Sequence, residues 1–191
     1  MEKKKKHEFL VGIPTINRSD LLNEVLPKYF NDFHKNDIFI VDNGNQSIIE
    51  RDEKFEIYRP NKNLGVAKSW NIIIQKALEL GYQRVLILND DVYLGKNRKE
   101  VISTFAFQMY DGFDENFYPA YFEDKDYMYR LKIEGGYCIE DESLDPLIYR
   151  NSMTIKKDIE LNNNFATNEQ LYIAKWGGLP NEEKFKTPFD D

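Results

Sequence analysis

One cysteine, Cys138, and two histidines, His7 and His34, are all that this 191-residue chain has of those residue types. A lone thiol closes no intrachain disulfide, so nothing speaks for oxidised secretion. No apolar run approaches the roughly 20 residues that cross a bilayer, and no signal peptide is evident. Positive charge is also scarce. With 26 Lys and Arg against 33 Asp and Glu, the formal net charge is −7, which disfavours nucleic acid as a partner. Polyphosphate ligands stay open, because a bound metal ion reverses the local field. Internal repeats, low-complexity tracts and linkers are missing too. These absences lead to the expectation of a cytoplasmic protein without a transmembrane segment. The basic start Lys3 to Lys6 reads as a solvated end or as weak attraction to an anionic membrane surface.

Apolar residues at 41% and aromatics at 14% argue for a packed core, and the length suits one domain. Residues 9–13 read as a first strand, halted by Pro14. A helix over about 20–33 follows, capped by Asn17 or Ser19, with Leu21, Leu22, Val25 and Leu26 on its apolar side. Residues 38–41 form a second strand, closed by the turn-forming Asp42-Asn43-Gly44-Asn45, and 55–58 a shorter third. Val66, Trp70, Ile73, Ile74, Ala77 and Leu78 recur at helical spacing as one buried stripe, with Gly81 placed to end the helix. The run Val85-Leu86-Ile87-Leu88 then reads as a buried strand. This order predicts an α/β fold with a largely parallel sheet and right-handed crossovers. Beyond it the pattern is less regular. It suggests a strand over 105–110, a helix over 123–133 stopped by Gly135-Gly136, and a helix over 169–175 ended by Gly177-Gly178 and Pro180.

Two acidic clusters carry the chemistry. The buried strand ends in Asn89-Asp90-Asp91, and Glu123-Asp124-Lys125-Asp126 lies downstream. Carboxylates at the carboxyl end of such a strand lie where open α/β sheets bind ligands. Brought together they repel and are costly to desolvate, unless a divalent cation sits among them or one shares a proton. That points to metal-assisted chemistry on a phosphorylated ligand, although Asn89-Asp90-Asp91 also reads as a plain polar strand exit. Asp42 either caps its turn or accepts hydrogen bonds from a nucleobase. Asn63-Leu64-Gly65 leads into a helix whose free N–H groups favour anionic or polar ligands. The acids from Glu123 to Asp126 either complement a helix dipole or take a proton from an attacking hydroxyl. Arg130 lies one turn past Asp126 and can pair with it.

In order along the chain stand Val11-Gly12-Ile13-Pro14-Thr15-Ile16-Asn17-Arg18, Ile40-Val41-Asp42-Asn43-Gly44, Asn63-Leu64-Gly65-Val66-Ala67-Lys68-Ser69-Trp70-Asn71, Leu88-Asn89-Asp90-Asp91, Gly112-Phe113-Asp114-Glu115-Asn116-Phe117 and Glu123-Asp124-Lys125-Asp126 with Arg130. Together, over about residues 9–136, they resemble glycosyltransferases of the GT-A fold, in the large family 2 of nucleotide-sugar-dependent enzymes. The resemblance implies a Rossmann-like, mixed and mostly parallel sheet flanked by helices in a single domain. Residues 1–8 would be a tail, 9–94 the nucleotide-sugar half and 95–191 the acceptor side.

Carried over by position, Thr15 and Asp42 would hold the nucleobase, with Asn63, Gly65 and Asn71 shaping the nucleoside side of the pocket. Asn89-Asp90-Asp91 stands at the family's Asp-x-Asp motif. There Asp90 would approach the ribose, and Asp91 would bind Mn²⁺ or Mg²⁺ bridging the diphosphate. Pro14 and Asn89 complete the donor-binding set. Asp124 would be the general base, with Glu123 and Asp126 as second choices. Tyr149 stands where many relatives place a metal-binding His, and the stretch from Val92 to Asp111 is shorter than the family's. Near the end, Trp176 either packs in the core or forms a flap over the donor, with Lys175 neutralising phosphate.

The expected activity is metal-dependent, inverting transfer of a sugar from a UDP- or GDP-linked donor to a hydroxyl of a glycan or other acceptor. A sugar-1-phosphate nucleotidyltransferase is the rival enzyme, but Pro14-Thr15-Ile16-Asn17-Arg18 lacks the glycines of a triphosphate loop. A nucleotide-sugar-binding module with weak catalysis is the other rival, since function is argued from the site and not from the fold.

Overall fold

The computed structural model describes residues 9–32, 37–44, 46–48, 55–82, 84–94, 107–108, 112–136, 148–150 and 162–190. Lys3 to Lys6, Cys138, both histidines, Asn45 and most of the stretch from Val92 to Asp111 lie outside them. The first half follows the expected order: β1 (Phe9–Thr15), α1 (Ser19–Asp32), β2 (Ile38–Asp42), β3 (Glu56–Tyr58), α2 (Val66–Leu80) and β4 (Arg84–Ile87). β3, β2, β1 and β4 lie side by side and parallel. β6 (Phe107–Gln108) adds an antiparallel edge to β4.

Period-two alternation sorts the strand residues onto two faces. Val11, Ile13, Ile38, Ile40, Leu86 and Leu88 pack with Leu22, Val25 and Leu26 of α1. Leu10, Phe39, Val41 and Val85 pack with Ile73 and Ala77 of α2. A sheet buried on both faces explains why its strands read as continuous apolar runs. Gly12 makes room for α2, since a Cβ there would stand 2.1 Å from Ile73 Cγ2.

Two expectations about local structure need correction. Pro14 does not halt β1, which runs through it to Thr15. Gly12 points its carbonyl at β4, accepting from Leu88 N at 2.9 Å. Two residues on, Pro14 faces the same side, but pairing with β4 ends at Gly12. The missing N–H therefore costs no ladder bond. Leu78 is 55% exposed, because the buried stripe of α2 centres on Ala67, Ile73 and Ala77, and the next residue turns about 100° away. Gly81 ends α2 in the left-handed conformation as expected.

The second half contains β5 (Val92–Leu94), α3 (Glu123–Ile133), β7 (Ile148–Arg150) and α4 (Phe165–Trp176). α3 has the expected bounds, while α4 begins four residues before its expected start. β5 and β7 pair antiparallel with Tyr93 opposite Tyr149. Position 149 thus lies beside the strand that leaves Asp91. α3 and α4 enclose an aromatic core of Phe117, Phe122, Tyr172 and Trp176. Among the described residues, no helix is long and apolar enough to cross a membrane.

Candidate active site

A cavity of about 550 Å³ opens at the carboxyl ends of the parallel strands. Pro14, Thr15 and Ile16 from the end of β1, Asn43 after β2, and Asn63, Gly65 and Val66 at the start of α2 form one side. Asn89, Asp90 and Asp91 follow β4, and residues 119–125 with Phe165 and Pro180 complete the wall. Asp91 and Asp124, 33 positions apart in the chain, therefore line one cleft.

Hydrogen bonds stiffen the β1–β2–α2 side. Thr15 Oγ1 donates to Asp90 Oδ2 at 2.6 Å and accepts from Gln46 Nε2 at 2.8 Å. Asn43 ties the turn after β2 to the entry of α2, accepting from Leu64 N at 3.0 Å and donating to Ser69 Oγ at 2.7 Å. Asn63 Oδ1 accepts from Gly65 N at 2.9 Å. Gly65 has φ 80, and a Cβ there would stand 2.9 Å from the Pro119 carbonyl oxygen. Only glycine lets α2 start this close to the opposite wall, where Val66 N donates to that same oxygen at 2.8 Å.

The acids divide into two groups. Asp90 is buried, and that burial lifts its carboxyl to about 6, with repulsion from Asp91 adding to it against the Thr15 hydrogen bond and Arg18. Glu123 is 6% exposed and is pushed up to about 7. Burial is the main cause and Asp124 adds to it, against nearby backbone N–H groups. Among the described residues, its Oε2 is buried without a hydrogen-bond partner. Asp124 is exposed on the cavity, accepting only from Lys125 N among the described residues. Asp91 is half-buried and makes no hydrogen bond or ion pair among the described residues.

Three of the sequence-derived site residues do not line the cavity. Asp42 is fully buried and serves its turn, accepting from Gly44 N, Gln46 N and Arg59 Nε at 3.1, 3.1 and 3.3 Å. Asn71 clamps the loop before Phe117: its Nδ2 donates to the Phe113 carbonyl at 2.9 Å and its Oδ1 accepts from Phe113 N at 2.7 Å. Asp126 corrects its second-choice role as a base, because both of its oxygens are engaged away from the cavity. Oδ1 accepts from Trp176 Nε1 at 2.9 Å and meets Lys175 Nζ at 2.6 Å, while Oδ2 pairs with Arg130 Nε at 2.9 Å. The expected Asp126–Arg130 pair is thus present.

Lys175 also binds Asp114 Oδ2 at 2.7 Å. It is buried against carboxylates, not poised over a donor phosphate, and Trp176 packs in the core. Sequence reasoning missed two residues. Trp70, read as part of the buried stripe, lines the cavity with its indole Nε1 buried and unpartnered among the described residues. Asn168, buried on α4, donates through Nδ2 to the Ala120 and Tyr121 carbonyls at 2.7 and 3.2 Å. Nothing in the local pattern signalled either, since both depend on chain segments brought together by folding.

Among the described residues, no three His, Cys, Asp or Glu side chains converge as a metal cage. The donor set still fits a divalent ion of the kind that takes one or two carboxylates and completes its shell with phosphate oxygens and water. Asp91 supplies such a carboxylate.

The family model described as glycosyl transferase family 2 matches residues 10–171. No curated protein matches the chain. A solved structure of S. aureus TarS, residues 1–349, is similar at 21% identity with a TM-score of 0.41. That match covers 51% of this chain and 32% of the other, so the chain spans about a third of that protein's solved length.

Proposed function

The chain belongs to glycosyl transferase family 2, and from that premise we propose that it moves a sugar from a UDP- or GDP-linked donor to a hydroxyl of a glycan or other acceptor, with inversion. The observation that supports this reading is that one cavity is lined by Asp90 and Asp91 on one side and by Glu123 and Asp124 on the other.

The donor's nucleoside would lie against Thr15, Asn63 and Gly65, with Pro14 and Asn89 beside it and Asp90 toward the ribose. Asp42 would support that pocket by holding the turn after β2, and Asn71 by clamping the loop at Phe113. Asp91 would hold Mn²⁺ or Mg²⁺ with the diphosphate oxygens. When bound, such an ion supplies charge neutralisation to the departing diphosphate. Asp124 is exposed on the cavity and would remove the acceptor hydroxyl's proton as that oxygen attacks the anomeric carbon from the face opposite the diphosphate. Glu123, on the same wall with its carboxyl raised to about 7 by burial, would be the second choice as base, since a carboxyl tuned near the working pH accepts a proton well.

Two variants test the reading. Asp124→Asn should lower turnover by about 10² to 10⁴, the usual worth of a positioned base, while leaving donor affinity within a few-fold. Normal turnover in that variant would remove Asp124 from the role. Asp91→Ala should abolish the Mn²⁺-dependent part of nucleotide-sugar binding measured by calorimetry. Equal affinity with and without Mn²⁺ in the parent chain would refute the metal assignment. Across a nucleotide-sugar panel, slow donor hydrolysis supports the transferase, whereas pyrophosphate release indicates the nucleotidyltransferase. Binding without turnover would leave the module reading.

A further inference from the structure

The geometry points to a pyranose-binding subsite formed by Tyr121, Phe165 and Glu123, so that the acceptor is a ring-form carbohydrate and not an open-chain alcohol. This inference rests on the transferase reading only in calling the bound sugar the acceptor. The subsite itself stands on its own observations.

Tyr121 and Phe165 line the cavity on the same wall as Glu123 and Asp124. Their ring centroids are 5.1 Å apart at 74°, and Phe122 meets Phe165 at 5.2 Å. Phe165 nonetheless stays 42% exposed, at the first position of α4. Large aromatic faces left open in the cleft are costly to hydrate, and they offer contact area with little rotamer entropy to lose.

The backbone that presents this wall is strained. Tyr121 and Phe122 are consecutive non-glycine residues with φ of 79° and 69°, a left-handed conformation that L side chains rarely adopt. Asn168 holds that stretch by binding the Ala120 and Tyr121 carbonyls together. The next residue is Glu123, whose buried Oε2 has no hydrogen-bond partner among the described residues. A buried polar atom without a partner is expensive unless a ligand completes it.

A pyranose ring matches both features. Its axial C–H groups form an apolar face that packs on aromatic rings, while its equatorial hydroxyls reach sideways to hydrogen-bond a carboxyl group. An open-chain polyol has the same hydroxyls but no fixed apolar face, and it loses more conformational entropy on binding. With the ring so held, a neighbouring hydroxyl would lie beside Asp124, the next residue along the chain.

Saturation-transfer NMR on the full chain tests this with methyl β-D-glucopyranoside and methyl β-D-galactopyranoside against sorbitol. The pyranosides should bind about tenfold tighter than sorbitol, with saturation concentrated on one ring face. Phe165→Ala should weaken pyranoside binding by about tenfold and Phe165→Tyr should restore it, since either aromatic ring supplies the face. Glu123→Ala should weaken it independently, with thermal unfolding confirming that each variant is folded. Equal binding of sorbitol and pyranosides, or unaltered binding by Phe165→Ala, overturns the inference. Nucleotide sugars probed by thermal shift separate the two readings. Donor binding without pyranoside binding sinks the subsite alone. Pyranoside binding without donor binding sinks the donor reading and keeps the subsite.

Discussion

The two sides of the cleft are built from different kinds of core. Behind the β1–β2–α2 side, strands and helices meet through aliphatic side chains such as Val11, Ile13, Ile40, Leu86 and Ile73. Behind the opposite wall, α3 and α4 meet through Phe117, Phe122, Tyr172 and Trp176, with Asp126 and Lys175 buried among them. Aliphatic burial is non-directional and tolerates changes of shape that conserve volume. The charged hub is directional. Asp126 satisfies the indole of Trp176, the ammonium of Lys175 and the guanidinium of Arg130 at once, so each member is expensive to lose. The same wall carries a strained backbone and a carboxyl oxygen without a partner. Among the described residues, buried polar atoms without a partner occur on both sides, Trp70 Nε1 on α2 and Glu123 Oε2 opposite, so what separates the two sides is the directional charged hub and the left-handed Tyr121–Phe122 backbone.

The largest expected effect tests that contrast directly. Asp126→Ala should cost about 3–5 kcal/mol, since it leaves buried cations without their carboxylate, whereas Ile40→Val should cost about 0.5–1.5 kcal/mol. Urea denaturation measures both. Equal costs would erase the distinction between the two cores.

Next comes the pH dependence of Glu123. Its carboxyl titrates near 4.5 when unperturbed and at about 7 in the fold. The folded chain therefore holds this proton over a range where the unfolded chain has released it, and stability falls as pH rises from about 4.5 through 7. The loss at pH 8 is about 3 kcal/mol by linkage. Glu123→Gln should remove it, so that the variant gains on the parent chain progressively between pH 4 and 8. A pH-independent difference would show that Glu123 is not desolvated. On the opposite wall the smallest effect is that of Asn168→Ala, about 1–2 kcal/mol for two carbonyls losing their donor. A cost near zero would mean that the Tyr121–Phe122 conformation holds itself.

The β-α-β-β-α-β core was legible because strands buried on both faces leave unbroken apolar runs, and because Gly81 ends α2 where expected. Asp90, Asp91, Glu123 and Asp124 were singled out for the same reason, as acids directly after a buried strand or at a helix start. Pro14 was misread because its tolerance depends on where β4 stops pairing. Leu78 was misread because helical spacing leaves the centre of a stripe uncertain by one position. Asn168 and the Lys175–Asp126 pair were out of reach, since their partners lie 48 and 49 positions away along the chain.

Local residue order was enough for the architecture of the parallel sheet, because apolar period and turn chemistry act over a few residues, whereas the family rested on the resemblance of its ordered motifs and on the matching family model. Which acids reach the cleft was decided only by tertiary structure. Asp124 and Asp126 share one turn of α3, yet one lines the cavity and the other is buried against α4. The direction of each follows from how that helix is rotated against its neighbour, and that rotation is set by contacts that exist only in the folded chain.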